Sequence, residues 1–270
     1  MWDFMEYDGE ERPDWDEEQF AWMGVCEYIT RYWYLMLSMG EYARLYQVKY
    51  PEVDKKTIRD AYVFQFYSEM DFRGEEAFDV LENRDTLLTP IVDENTGVEY
   101  LMCNEVEDEE ELFEKVLSVH GDKEMYLPTE HEMYEYMYYG FNPSDPDILE
   151  ALVGIADLVS VANPVNKSEL LWNEDGKPVD QDGKIRNDVD EEVTYRDRMA
   201  QAAVCNAIRG FEHGVPFENV MEKIFDAFLF TDPQKVLEQF LTIFNNTHLP
   251  GNKGYTPLQM QEKYGKPKEE

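Results

Sequence analysis

Two stretches have the residue types to hold a hard cation. Asn173-Glu174-Asp175-Gly176 and Asp180-Gln181-Asp182-Gly183 set carboxylates beside glycine turns, as calcium loops do. The EF-hand template rejects both. With Gly183 at the template's glycine, the first ligand position falls on Pro178 and the last on Val189; with Gly176 there, the first falls on Leu171. None of these side chains offers oxygen. What is left is a weak cation site on Asp175, Asp180 and Asp182, able to serve a cation-dependent hydrolase, set against plain solvated Asp-Gly turns.

A second constellation is the acidic run Glu105, Glu107, Asp108, Glu109, Glu110, Glu111 and Glu114. As helix it would compress these acids into roughly 15 Å of axis. Such a stripe suits a basic partner. Acids in a first helical turn also complement the helix dipole without any partner.

The histidines His120, His131, His213 and His248 lack metal spacing. His131-Glu132 begins a zinc-protease pattern, but Glu135 stands where the second histidine belongs. Arg209 and His213 lie one helical turn apart, a weak ribonuclease-like pairing that a helix-end dipole explains as well. Nucleophile-elbow, P-loop and dinucleotide fingerprints are absent. No catalytic residue and no cofactor is therefore expected. Cys26, Cys103 and Cys205 are far apart in apolar settings and read as buried thiols of a reducing compartment. The Tyr-rich run Met133, Tyr134, Tyr136, Met137, Tyr138, Tyr139 reads as a helix packed on two sides, or as an adhesive interface.

Composition narrows the class. The 270 residues hold 59 acids and 24 Lys plus Arg, a net charge of −35, yet 14% are aromatic. That apolar mass excludes a wholly disordered acidic chain. The charge argues against direct binding to nucleic acid or to an anionic membrane. Nor does it make the whole surface a DNA mimic. A folded chain of this size exposes roughly 12,000 Å², or about one net charge per 350 Å², against roughly one per 100 Å² for duplex DNA. Mimicry would need clustering, with the acids of 1–18 and 105–114 on one face. No apolar run is long enough to span a bilayer, and Met1-Trp2-Asp3-Phe4-Met5-Glu6 lacks a signal peptide's basic start. A cytoplasmic protein is expected.

Periodicity supplies the elements. Residues 1–18 form an acidic arm, either loose or pinned by Trp2, Phe4 and Trp15. Helical spacing starts at Phe20, breaks at Gly40 and resumes to about residue 48. Asp54 caps a helix to Met70, and a short helix follows over 75–83. Residues 87–102 read as a β-hairpin around Asp93-Glu94-Asn95-Thr96-Gly97. Capping boxes at Asn104/Glu107, Thr129/Glu132 and Thr256/Gln259, and Asp145-Pro146, open further helices. Residues 163–193 read as a long Asp/Gly-rich loop, and helices return over 194–212, 217–230 and 233–245. The expected fold is mainly α, a multi-helix globular protein with one hairpin. It divides into an N-terminal helical region, 19–120, and a C-terminal one, 121–270.

The string Asn245-Asn246-Thr247, continued by Asn252-Lys253-Gly254-Tyr255-Thr256-Pro257, resembles one near the end of a group of uncharacterised Firmicutes proteins that often carry a C-terminal SEC-C zinc motif. Tyr126-Leu127-Pro128-Thr129-Glu130, with Tyr136, resembles a second string of that group. The resemblance spans residues 120–264 and implies a mostly helical bacterial or phage protein. It implies no activity. A Cys-rich tail is not found, so zinc binding is not carried over. The functional expectation is a non-enzymatic acidic protein that binds a basic protein partner. A nucleic-acid mimic that blocks a DNA- or RNA-binding protein and the hydrolase above are alternatives, and oligomeric state stays open.

Overall fold

The computed structural model describes residues 2–5, 14–73, 88–103, 109–161, 171–173, 175, 177–179 and 184–265. The fold is mainly helical, with ten α-helices among the described residues and a small antiparallel sheet. Contacts divide the chain into two compact units. The first combines Met1–Asn142 with His248–Glu270; the second is Pro143–Thr247. The sequence-based boundary at 121 falls inside the first unit.

The first unit is built on a four-stranded sheet of order β1-β3-β4-β2, from β1 (Trp2–Phe4), β2 (Met36–Ser38), β3 (Leu88–Asp93) and β4 (Glu99–Cys103). The expected hairpin is β3–β4, with Ile91 opposite Tyr100. Gly97 turns it at φ 68°. Strand alternation serves two cores. Leu37, Leu88, Leu101 and Cys103 face the main core, which holds α1 (Glu17–Trp33), α2 (Met39–Tyr46) and α3 (Lys55–Arg73). Met36, Ile91 and Met102 pack instead with Leu112, Phe113 and Val116 of α4 (Glu109–His120).

Strand β2 was not foreseen. Leu35 and Met36 continue the apolar spacing of α1, so the helix reads on through them. The chain leaves the helix because the Tyr34 and Leu35 amides both donate to Thr30 O, at 3.1 and 2.9 Å, with Leu35 at φ 61°. Ser38 then caps α2 through a box with Glu41. Gly40, expected to break the helix, lies in its first turn. Asp54 caps α3 as expected. The helix expected over 75–83 and the Asn104 cap lie outside the described residues. Thr129 caps α5 (Glu130–Tyr139) through the foreseen box.

A closing segment completes this unit. The 3₁₀ turn Pro250–Asn252 and α10 (Pro257–Tyr264) follow His248, whose ring stacks on Trp33 at 3.8 Å. The buried Lys253 ammonium meets Glu41 at 2.6 Å. Burial raises the Glu41 carboxyl, but the hydrogen bond and charge of Lys253, together with the bonds from Ser38, bring it below the ordinary value.

The second unit contains α6 (Pro146–Leu158), α7 (Asn187–Glu212), α8 (Phe217–Ala227) and α9 (Pro233–Asn245). Helix α7 packs on α6, α8 and α9. Its Ala200, Ala203, Ala207 and Gly210 allow close approach, and a Cβ on Gly210 would stand 2.8 Å from Val220 Cγ2. This helix begins at Asn187, ahead of the expected 194. Asp190, Glu191 and Glu192 in its opening turns carry no apolar period, and Glu192 pairs with Arg196 one turn on, at 2.9 Å. Within 163–193, the described residues include the short pair β5 (Leu171–Trp172) and β6 (Pro178–Val179). Among the described residues, no helix is long and apolar enough to cross a membrane.

Candidate interaction surface

The residues singled out from sequence fall in two places. Glu109, Glu110 and Glu111 open α4, and Glu114 is exposed further along it. Glu105, Glu107 and Asp108 lie outside the described residues. Asp175 sits in an exposed turn whose geometry Asn173 sets, its side-chain oxygen accepting from the Asp175 amide at 3.1 Å and the Lys177 amide at 2.8 Å. Asp180 and Asp182 lie outside the described residues. Among the described residues, no group of three or more His, Cys, Asp or Glu is placed to hold a metal ion.

A different constellation does converge, on Lys49 in the first unit. Lys49 and Tyr50 leave α2 in a turn held by their amides to Tyr46 O, at 3.3 and 3.4 Å. Tyr50 stacks on Tyr46, which stacks in turn on Trp15. Trp22 is fixed within α1, its indole N–H donating to Tyr46 O at 2.8 Å. Tyr134 arrives from α5, its ring 5.4 Å from that of Trp22. These anchored rings wall in the ammonium, with Lys49 Nζ 5.5 Å from the Trp22 and Tyr134 centroids and 5.6 Å from that of Tyr50.

Carboxylates complete the enclosure. Lys49 Nζ lies 2.8 Å from Glu18 and 3.7 Å from Glu130, and donates to the Tyr134 hydroxyl at 3.1 Å. The Glu18 hydrogen bond holds the ammonium above the ordinary lysine value, with the Tyr134 hydroxyl reinforcing it and partial desolvation opposing. The Lys49 side chain is 17% exposed and that of Glu18 69%, so the enclosure opens to solvent on its acidic side. Cation–π attraction and charge act together here on one cation.

Helix α5 carries this surface outward. Its inner face is Met133 and Tyr136, both buried. Tyr134, Met137 and Tyr139 are each more than a third exposed, and Tyr138 is 80% exposed. The foreseen two-sided packing of this helix therefore holds on one side only. The tyrosines, and Glu18 as the last acid of the 1–18 arm, stand out in the sequence; Lys49 and Trp22 do not. The usable signal was the pairing of Lys49 with Tyr50 at a helix end, which leaves a cation and a ring on one turn.

A second lysine makes a looser version of the same contact. Lys263 of α10 sits 4.6 Å over Tyr255 and 5.6 Å from Tyr264, and meets Glu124 at 2.8 Å. Two rings and one carboxylate flank it on an open surface. Comparison with protein-family models, curated proteins and solved structures found no match to the chain.

Proposed function

We propose that this chain is a non-enzymatic acidic binding protein that acts through protein–protein contacts with a basic partner in the cytoplasm. The observation that carries the reading is the outward face of α5. Tyr134, Met137, Tyr138 and Tyr139 stand exposed there, with Glu130 on the same helix and Glu18 beside it around Lys49. Tyrosine and methionine are enriched at interface cores, and a few exposed aromatics commonly supply most of an interface's affinity. Surrounding carboxylates select a basic partner and speed its encounter. The three cysteines, free thiols in this fold, suit a reducing setting.

The test is capture from cell lysate on the immobilised protein, eluted by a salt gradient and identified by mass spectrometry. The expected result is a stoichiometric basic protein, released as the gradient approaches 1 M, where screening shrinks to about 3 Å. Tyr138→Ala should cut its capture at least tenfold without changing the fold, as hot-spot truncations do. A complex indifferent to 1 M salt, or to Tyr138→Ala, would overturn the reading.

A further inference from the structure

We infer that the Lys49 enclosure is a recognition site for methylated ammonium groups, occupied by the chain's own lysine until a better cation displaces it. The inference deepens the proposed function, because it names the chemical group on the partner that this surface reads.

Three observations carry it. First, each wall has an anchor besides the cation, although the Tyr134 hydroxyl also accepts from Lys49. The Trp22 indole is bonded to Tyr46 O, Tyr50 is stacked on Tyr46, and Tyr134 belongs to a capped helix. Second, the rings fit the present occupant loosely, and it is held chiefly by Glu18 and the Tyr134 hydroxyl. All three centroids lie 5.5–5.6 Å from Nζ, near the outer limit of about 6 Å for a cation–π contact. A methyl carbon stands about 1.45 Å from its nitrogen. Methyl groups would therefore fill the gap toward the rings, with the nitrogen set back from Glu18 and the Tyr134 hydroxyl, which now lie 2.8 and 3.1 Å from Nζ and accept bonds that a quaternary nitrogen cannot donate. Third, the occupant can leave. Lys49 hangs on a flexible four-carbon stem, and its carboxylate partners Glu18 and Glu130 lie on the exposed side. Aromatic walls with a carboxylate rim are the donor set that quaternary ammonium groups require, since these cations offer charge and apolar surface but no N–H. The Lys263 contact lacks this enclosure and serves as the internal control.

The ligand chemistry has two sources, a methylated lysine on a protein and a free quaternary ammonium compound. The experiment titrates the full chain with tetramethylammonium chloride, with sodium chloride at equal ionic strength as reference, and follows the Trp22 indole resonance by NMR. Parallel arms use a short basic peptide carrying trimethyl-lysine and the same peptide unmethylated. Wild type should bind weakly, since Lys49 competes from within. Lys49→Ala should bind tetramethylammonium at least tenfold more tightly than wild type and gain thermal stability on binding. Adding Tyr134→Leu to it should abolish the gain, and Lys263→Ala should show none. If Lys49→Ala does not fold, Lys49→Gln, which keeps the first two methylenes of the stem without the charge, takes its place.

Tighter binding of the methylated peptide than of tetramethylammonium supports the site and assigns it to a protein partner. Equal binding of the two supports the site and assigns it to a free compound, in which case the partner reading can fail in lysate while the site stands. No saturable, Tyr134-dependent shift in a folded Lys49 variant overturns the inference and leaves the enclosure as an internal clasp. That result would not touch lysate capture through Tyr138.

Discussion

The two units bury different chemistry. The first encloses Trp22, Trp33, Tyr34, Tyr42, Tyr46 and Tyr62 almost completely, and the Trp22 indole and all four tyrosines are bonded to main-chain carbonyls. Among the described residues, the buried apolar ones of the second are aliphatic side chains, methionine and phenylalanine, with alanines along α7. Apolar burial is non-directional and scales with area. A buried hydroxyl is directional and costly when its partner is lost. The first unit is thus held to one geometry by bonds that cannot slide, while the second tolerates repacking so long as volume is kept. It is the unit with the fixed geometry that presents the enclosure of fixed rings.

Two glycines give the sharpest test of that difference. Gly254 in the first unit is at φ 83°, and a Cβ there would overlap the Tyr34 ring, whose hydroxyl is tied to Tyr126 O at 2.6 Å. Gly254→Ala therefore combines backbone strain with a clash against a pinned ring, and about 4 kcal/mol or more of stability should be lost. Gly210→Ala in the second unit meets a single valine side chain, at 2.8 Å from its nearest methyl, with no backbone strain, and alanine improves helix propensity by about 1 kcal/mol. Its net cost should be about 1–2 kcal/mol. Denaturant unfolding of both variants measures the two; equal losses would break the contrast.

Buried titratable groups set the units against each other in pH. Burial lowers His120 to about 4, although its ring is bonded to Pro250 O at 3.0 Å. The unfolded histidine titrates near 6.5, so between those values the unfolded chain takes up a proton that the folded one refuses. Stability from this group is intact at pH 7 and is lost as pH falls through 6.5 toward 4. The loss reaches about 2.5 kcal/mol at pH 4.5 and should be missing in His120→Gln. Glu212 of the second unit behaves in the opposite sense. Burial alone pushes its carboxyl well up, so its contribution is intact in acid and erodes as pH rises above about 4.3, where the unfolded carboxyl ionises. Glu212→Gln should stabilise the chain at pH 7 and lose that advantage near pH 4. Melting temperatures of both variants across pH 4–8 decide.

Hydroxyl removal isolates the directional part. Tyr62 Oη donates to Leu88 O at 2.8 Å and accepts from Leu88 N at 3.1 Å, which fastens α3 to β3. Tyr62→Phe keeps the volume but strands both backbone groups, at a cost of about 2 kcal/mol. Phe240→Leu in the second unit changes shape and should cost less, about 1.5 kcal/mol at most, if that core is as tolerant as its composition implies.

Local rules were visible in the sequence wherever a few neighbouring residues decide. Thr129/Glu132, Thr256/Gln259, Asp54, Asp145-Pro146 and the Asp93–Gly97 turn all act over four or five residues, and each stands where expected. Strand β2 was not visible, because its side chains match the helix period and only its tertiary pairing with β4 separates the two. The return of residues 248–265 to the first unit was hidden for the same reason: His248, Pro250 and Lys253 find Trp33, His120 and Glu41 across 130 positions or more. The Lys49 enclosure draws on α1, the turn after α2, and α5. Sequence supplied one wall, the tyrosines, and no spacing rule links them to a lysine some 85 positions away.

The smallest effects test whether a helix cap is merely local. Asp145 caps α6 by accepting from the Asp147 and Ile148 amides, and Asp145→Ala should cost about 1 kcal/mol. Thr129→Ala on α5 should cost about the same, since it too removes one cap. Glu132 differs from both. Its carboxylate accepts from the Thr129 amide and hydroxyl and also from the half-buried Tyr126 hydroxyl, each at 2.7 Å. Burial raises this carboxyl, but the Thr129 bonds, helped by Tyr126, bring it below its ordinary value. Glu132→Ala should accordingly cost about twice what either cap costs, because a charge-assisted bond to the half-buried Tyr126 goes with it. If Glu132→Ala and Thr129→Ala prove equal in chemical denaturation, the Tyr126 bond is idle. The directional network of the first unit would then stop short of the helix that carries its exposed tyrosines.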